Sequence, residues 1–344
     1  MRILIIGGTR FVGPPVVRHL HDMGHTVWLF HRHPAQVVLP DSVEHITGDR
    51  HHLDDFGDIF RRIAPDVVLD MIPITEDDAQ TVMRVFTGVA QRVVTLSSQD
   101  VYRAYGRVNG TEPGPPDPVP LTEDSPLRER LYPYRGETPR TPDDPRRVLD
   151  DYDKILVERA VMSDPALPGT VLRLPMVYGL GDYQHRLFPY LKRMDDRRPA
   201  LLMSDQMARW RWTRGYVESI AVAIALAVTD LRALGRIYNL GEAIALSTAD
   251  WIHAIASIAG WNGQIIAAPD YQLPEEMKSR AGLEQELVAD TSRIRIELGY
   301  EPLYTRSEAL RRTIAWERAN PPIPIDQTQF DYATEDAIIA RLMS

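Results

Sequence analysis

Short, almost wholly apolar runs alternate along this chain with stretches whose apolar residues recur every three or four positions. The runs stand at 2–6, 26–30, 67–71, 92–96 and 170–174. Runs of that length without internal alternation predict strands buried on both faces, and the amphipathic stretches between them predict covering helices. The expected fold class is α/β: a Rossmann doubly wound parallel sheet followed by a smaller C-terminal α/β substrate lobe. Residues 107–147 break the rhythm with ten prolines, among them Pro113, Pro115, Pro116 and Pro118, and predict an insertion that is either disordered or a lid near the strand ends. Helical periodicity returns at 146–162, with Pro142, Asp143 and Asp144 as start signals, and again at 219–229, 247–259 and 334–341. The expected dinucleotide-binding domain is 1–175 plus about 213–242, and the substrate lobe is 176–212 plus 243–344.

The first run ends in Gly7-Gly8-Thr9-Arg10-Phe11-Val12-Gly13, and a second strand ending in His31-Arg32 follows one helix later. Glycines at such a turn let the backbone bend sharply and approach a pyrophosphate, while the next helix aims its N-terminus at the phosphates. Any tight strand-to-helix turn can use glycine, so the place in the βαβ order is what points to a dinucleotide.

Composition narrows the field. With 344 residues, 44% hydrophobic and 25% charged, the chain is of ordinary soluble character. A net charge of −9 opposes general nucleic-acid binding, which needs excess Lys and Arg. Zero cysteines remove disulfides, thiol nucleophiles and Cys-ligated zinc. The first apolar run is too short for a signal segment, and no stretch reaches the length of a membrane span. The expectation is a cytoplasmic protein with no membrane or nucleic-acid partner. His31, His33, His51 and His52 tempt a metal reading, but no carboxylate cluster at ligand spacing completes a site, so no metal is expected.

Several separated segments together resemble the extended short-chain dehydrogenases, the NAD-dependent epimerases/dehydratases. They are Gly7–Gly13, Gly48-Asp49, the Ser97-Ser98-Gln99-Asp100-Val101-Tyr102 strand end, Leu172 through Pro175 to Gly179, Tyr238–Gly241 and the stretch from Asp290 to Pro302. The resemblance implies cofactor contacts at Gly7, Thr9, Arg10, Phe11, Val12, Gly13, His31, Arg32, Asp49, Arg50, Lys154 and Pro175. It implies a small-molecule substrate, sugar-like or nucleotide-linked, held near Ser98, Tyr178, Arg211 and Arg214, and a homodimer. Asp70 is expected to line the cofactor channel, whereas Asp77 and Asp78 read as helix-start charges.

Three departures from the family pattern matter. Arg10 replaces a glycine, and His31-Arg32 replaces the acid that would bond a ribose 2′-hydroxyl. Guanidinium groups there suit a 2′-phosphate, so NADP is favoured over NAD. The third departure is catalytic. The family sets Tyr and Lys four residues apart on one helix face; here Lys154 is preceded at that spacing by Asp150, and Tyr152 falls about 200° away on a regular helix. Three readings stay open. Asp150 itself transfers the proton; a tyrosine such as Tyr102, Tyr105, Tyr132 or Tyr134 substitutes; or the redox step is lost and Asp150–Lys154 is a surface ion pair. The stretch from Arg209 to Arg214 alternates Arg and Trp, which on a strand would put the arginines on one face. The expected activity is hydride movement between nicotinamide and a sugar-like or other small polar alcohol or ketone, as an epimerase/dehydratase or a reductase. The rivals are a non-catalytic cofactor-binding sensor or scaffold and, on the Gly-Gly-Thr-Arg turn, an RNA-binding relative, which the net acidity opposes.

Overall fold

The computed structural model describes residues 1–32, 37–279 and 282–343; His33 lies outside them. The first half runs β1 (Arg2–Ile6), α1 (Gly13–Asp22), β2 (Thr26–His31), β3 (Glu44–Thr47), α2 (Gly57–Ile63), β4 (Val67–Asp70), α3 (Glu76–Phe86), β5 (Arg92–Ser98), α4 (Arg103–Val108), α5 (Lys154–Val161) and β6 (Gly169–Leu174). The second half runs β7 (Met176–Tyr178), α6 (Phe188–Asp195), β8 (Ala200–Ser204), α7 (Asp205–Arg209), β9 (Arg214–Tyr216), α8 (Val217–Thr229), β10 (Ile237–Asn239), α9 (Thr248–Ala259), β11 (Gln264–Ala268), α10 (Ser292–Leu298), α11 (Arg306–Ala319) and α12 (Tyr332–Met343). Seven strands form one sheet in the order β10-β6-β5-β4-β1-β2-β3, and every recorded pairing in it is parallel. This is the Rossmann arrangement, with its reversal of strand order between β1 and β4.

The unbroken apolar runs follow from that burial. Ile3 and Ile5 pack toward α1 and α8, whereas Leu4 and Ile6 pack toward the face holding Phe60, Val82, Phe86 and Val157. Both faces are covered, so β1 has no solvent side that would select polar residues. The register then lines up the carboxyl ends: Ile6 lies opposite both Phe30 and Asp70, Asp70 opposite Thr95, and Ser98 opposite Leu174. The glycine turn, His31, Asp70, Ser98 and Pro175 therefore share one edge of the sheet.

A buried arginine ties α8 to the sheet. Arg92, 1% exposed at the start of β5, donates to the main-chain carbonyls of Ala227, Val228 and Asp230 where α8 ends. Those carbonyls have no partner within the helix, so the guanidinium satisfies them and meets the negative end of the helix dipole.

The proline-rich insertion is not disordered. Asp117 pairs with Arg103 and Arg107, and its main chain exchanges hydrogen bonds with the Gln285 side chain. Leu121 forms a bridge with Ala289, and the buried Glu123 carboxylate accepts from the Asn239 main-chain N–H at 2.8 Å. The expected helix over 146–162 is also corrected: a short 3-10 turn at Arg147–Asp150 stops, and α5 begins only at Lys154. No described helix is long and apolar enough to cross a membrane. Limited trypsinolysis should cut first in the exposed 136–148 stretch, with cleavage after the buried Arg128 slower by at least about tenfold; equal rates at the two places would contradict the packing.

Candidate active site

The turn after β1 has the shape a dinucleotide requires. Gly7 and Gly8 adopt φ of +94° and +86°, and a Cβ on Gly13 would stand 2.3 Å from the Gly8 carbonyl carbon. Phe11 also sits at positive φ, +42°, with its ring edge-on to Tyr183 at 6.3 Å. Pro14 and Pro15 occupy the first turn of α1 and bring no N–H. Donors for a phosphate must therefore come from the loop around Thr9 to Gly13, so the helix dipole acts with fewer N–H groups than expected. Arg10 and Arg32 are exposed at this edge and, among the described residues, form no ion pair with a carboxylate. His31 turns inward instead, its Nε2 lying 2.7 Å from Nδ1 of His45.

Arg50 departs from its expected role. Its guanidinium is 8% exposed and spans Asp70 and Asp78, with Nη1 and Nη2 each 3.1 Å from an Asp70 oxygen and Nε 2.9 Å from Asp78. It also donates to the Ile72 carbonyl at 2.6 Å. The guanidinium is committed to holding the end of β4 to the start of α3, so it is a structural cation. Asp70 is likewise held by that pairing. Asp78 is the helix-start charge expected of it, forming a capping box with Thr75 on α3. Asp49 caps the next turn by accepting from the His51 main chain at 3.0 Å, which holds its carboxyl below the usual range.

The catalytic candidates separate sharply. Asp153, fully buried, accepts from Ile155 N–H at 2.9 Å and so starts α5 at the very next residue. Residues 150–153 are therefore outside the helix, and the spacing argument that set Asp150 beside Lys154 does not apply. Asp150 accepts from the main chain of Arg140 at 2.7 Å and pairs with the Arg140 and Arg147 guanidinium groups, which rules it out as the group facing Lys154. Tyr152 lies on an extended segment bridged to Thr75, and its ring centroid is 5.8 Å from Lys154 Nζ. Lys154 itself is buried and donates to the carbonyls of Pro73 and Leu96, the latter at 3.1 Å. Burial pushes its ammonium down to about 8, against the opposing pull of Asp100.

Adjacent serines on β5 diverge. Ser97 donates to Glu158 within a buried network in which Arg173 binds Glu158 and also donates to the Tyr102 hydroxyl at 2.9 Å. Tyr102 in turn donates to Asn239 at 2.7 Å, and burial pushes its hydroxyl up to about 12. It is a core residue whose proton is committed to Asn239 and whose oxygen is taken by Arg173, so it drops out as the substitute tyrosine. Ser98 instead reaches the carboxyl edge, where its hydroxyl accepts from the Asp100 N–H at 3.2 Å. Tyr105 is spent on Trp212, whose Nε1 donates to it at 2.9 Å, and Tyr132 carries the ring under Arg135.

Sequence reasoning missed Asp100. Its Oδ2 accepts from the hydroxyls of Tyr152 at 2.7 Å and Tyr134 at 3.2 Å. A carboxylate two residues after Ser98 was the available signal.

The substrate candidates also divide. The 209–214 stretch is not one strand: α7 ends at Arg209, Arg211 and Trp212 form single bridges, and β9 starts at Arg214. Arg211 pairs with Glu286 at the surface, Arg214 is buried over the Trp251 ring, and Tyr178 donates to Glu242 at 2.9 Å. The arginines thus share no face. Pro175 is buried between β6 and β7, the two strands that flank it. Among the described residues no group of three or more His, Asp or Glu side chains could hold a metal.

A seven-stranded Rossmann sheet carrying a glycine turn, a strand-end serine and a buried lysine on one edge defines an enzyme of the extended short-chain dehydrogenase/reductase type. A sequence profile matching residues 3–241 shows that the chain belongs to the NAD dependent epimerase/dehydratase family. It is 26% identical over 302 residues to a 2'-dehydrokanamycin reductase of Streptomyces kanamyceticus, covering 85% of this chain and 75% of that protein. It is 25% identical to a dTDP-glucose 4,6-dehydratase of Salmonella typhimurium, over 93% of each chain. In fold it is similar to a UDP-glucose 4-epimerase of Thermotoga maritima solved with UDP-glucose (TM-score 0.67, 17% identity, 93% of this chain and 99% of that one).

Two outcomes follow from this geometry. Arg50→Met should lower stability by about 3–5 kcal/mol in chemical denaturation, because Asp70 and Asp78 would be left buried without their cation. Lys154 holds fewer protons folded than unfolded between about pH 8 and its ordinary value of 10.5. The unfolded state binds the extra proton there, so the stability of the wild type relative to Lys154→Met should rise with pH across that window and stay flat below it.

Proposed function

We propose that the protein is a nicotinamide-dinucleotide oxidoreductase acting on a sugar-like or nucleotide-linked alcohol or ketone, with NADP(H) favoured over NAD(H). The observation that carries this reading is that Ser98 ends β5 while Tyr152 bonds Asp100 just beyond it and buried Lys154 bonds the Leu96 carbonyl, all toward the sheet edge that also bears the glycine turn. The relatives' own names, a reductase and a dehydratase of sugar compounds, support the substrate class.

The loop from Gly7 to Gly13 fits a pyrophosphate, since the close approach at Gly13 leaves no room for a side chain. When bound, the nicotinamide accepts or returns a hydride. Ser98 has its hydroxyl hydrogen free to donate to a substrate oxygen, because its recorded bond uses the oxygen as acceptor. Tyr152 stands where a proton can be exchanged with that oxygen, and Lys154 supplies a fixed positive charge beside it. Arg10 and Arg32, exposed at the edge where β1 and β2 end and without an ion pair among the described residues, suit the doubly charged 2′-phosphate. A stoichiometric ketone reductase follows from that preference more directly than an internal hydride cycle.

Denaturing extraction of the purified protein with mass spectrometry, followed by NADPH and NADH titrations, tests this. The expected result is an empty or NADP-loaded site that binds NADPH at least about tenfold tighter than NADH, a gap of roughly 1.4 kcal/mol. Arg10→Gly should remove most of that gap while leaving NADH binding intact. Retained NAD would favour the internal cycle, and binding of neither dinucleotide would end the enzymatic reading.

A further inference from the structure

The oxidoreductase reading leaves the proton of the redox step without a destination. In the family pattern a lysine lowers the tyrosine hydroxyl, but here Tyr152 is hydrogen-bonded to a carboxylate instead. Burial and that carboxylate together push the Tyr152 hydroxyl well above its ordinary value, so it does not serve as a standing phenolate. A neutral phenol can still pass protons if it has an acceptor behind it.

Asp100 is that acceptor by position. It is 7% exposed, its Oδ2 takes the Tyr152 hydroxyl at 2.7 Å, and its Oδ1 is buried with no hydrogen-bond partner. Its main chain is clamped from two sides: Ser98 Oγ accepts from its N–H at 3.2 Å, and Arg128 Nε donates to its carbonyl at 2.6 Å. The charged and titratable groups facing the carboxyl are Tyr152 and Lys154 before and at the start of α5, with Tyr134 and Arg128 from the insertion; Tyr105 of α4 lies within electrostatic reach. Burial raises the carboxyl, while the Tyr152 bond and the nearby cations lower it. An isolated buried carboxylate is costly to maintain, and a bare Oδ1 would gain from carrying a proton.

We propose, resting on the oxidoreductase reading, that Asp100 is the proton store of this site, exchanging its proton with substrate through the Tyr152 hydroxyl. In the oxidation direction the substrate O–H bond breaks and its proton forms a new bond to the Tyr152 oxygen. The original Tyr152 proton moves to Asp100 Oδ2, and the electron pair of the substrate C–H bond leaves as hydride to the nicotinamide dinucleotide. The sum is alcohol, oxidised dinucleotide and Asp100 carboxylate going to carbonyl, reduced dinucleotide and Asp100 carboxylic acid; ketone reduction is the reverse. Asp100 acts through Tyr152 and is a positioning and proton-storing residue. Tyr134 completes the store from the insertion, which makes the proline-rich segment part of the active site.

The test needs no substrate. NADP⁺ and NADPH are titrated calorimetrically at about pH 6 in two buffers of different ionisation heat, which counts protons released or taken up on binding. The oxidised nicotinamide carries a positive charge that favours the Asp100 carboxylate, whereas the reduced ring does not. The 2′-phosphate is common to both ligands and cancels, and Lys154, at about 8, stays protonated in both. NADP⁺ should therefore release more protons than NADPH in the wild type. Asp100→Asn, which keeps an oxygen for Tyr152 but cannot store a proton, should abolish the difference. Tyr152→Phe should retain it, because the carboxyl remains. Equal proton counts for the two ligands in the wild type, or an unchanged difference in Asp100→Asn, would overturn the proton store while leaving dinucleotide binding intact. Failure to bind either ligand would overturn both this inference and the oxidoreductase reading.

Discussion

The buried carboxylate of Asp153 is the point on which the site depends. One of its oxygens accepts from the first free N–H of α5 and from Arg128; the other accepts from the Tyr132 main chain at 2.6 Å. It thereby fixes three things together: the residue at which the helix begins, the extended path of Tyr152 just before it, and the insertion that carries Arg128, Tyr132 and Tyr134. A carboxylate buried to this depth is tolerated only when its lone pairs are filled. Here two main-chain donors and one guanidinium fill them. The placement of Lys154 follows, because a side chain on the first helical residue points back over the preceding turn, toward the ends of β4 and β5.

The charges at the sheet's carboxyl edge divide into those committed to structure and those left for chemistry. Arg50, Arg92 and Arg173 are all deeply buried, and each is matched to carboxylates or helix-end carbonyls. Lys154 differs from Arg50 and Arg173: it meets two neutral carbonyls and, among the described residues, no carboxylate at ion-pair distance, so its charge is felt by whatever lies nearby. Asp100 differs in the same way, bonded to two neutral phenols with one oxygen bare. Lys154 and Asp100 thus bring two incompletely paired buried charges to the same edge of the sheet, an arrangement that recurs at catalytic sites.

Most of the Rossmann half was legible because its signals are local. The strands of the sheet recovered from apolar runs differ from the observed ones by at most two residues at either end, as with 92–96 against Arg92–Ser98. The insertion was legible as a break but not as a packed element, since its order comes from Asp117, Leu121 and Glu123 meeting residues 116 or more positions away. The helix over 146–162 failed for a definable reason: periodicity reads through an N-cap that sits inside an amphipathic stretch, and Asp153 is such a cap. Arg50 shows the converse, a residue chosen by motif position whose side chain proved to be claimed by Asp70 and Asp78.

By itself the sequence determined the order of elements, the glycine turn, the absence of cysteine chemistry and the survival of Ser98 and Lys154, because these rest on local propensity, spacing and residue identity. The tertiary structure alone decided which group stands beside Lys154. Asp150 is four residues away in the chain yet turned toward Arg140, while Asp100, more than fifty residues away, shares a hydrogen bond with Tyr152. Contacts of that kind are set by how β5, α5 and the insertion pack, and no local pattern in the chain encodes which long-range partner will fill a buried carboxylate.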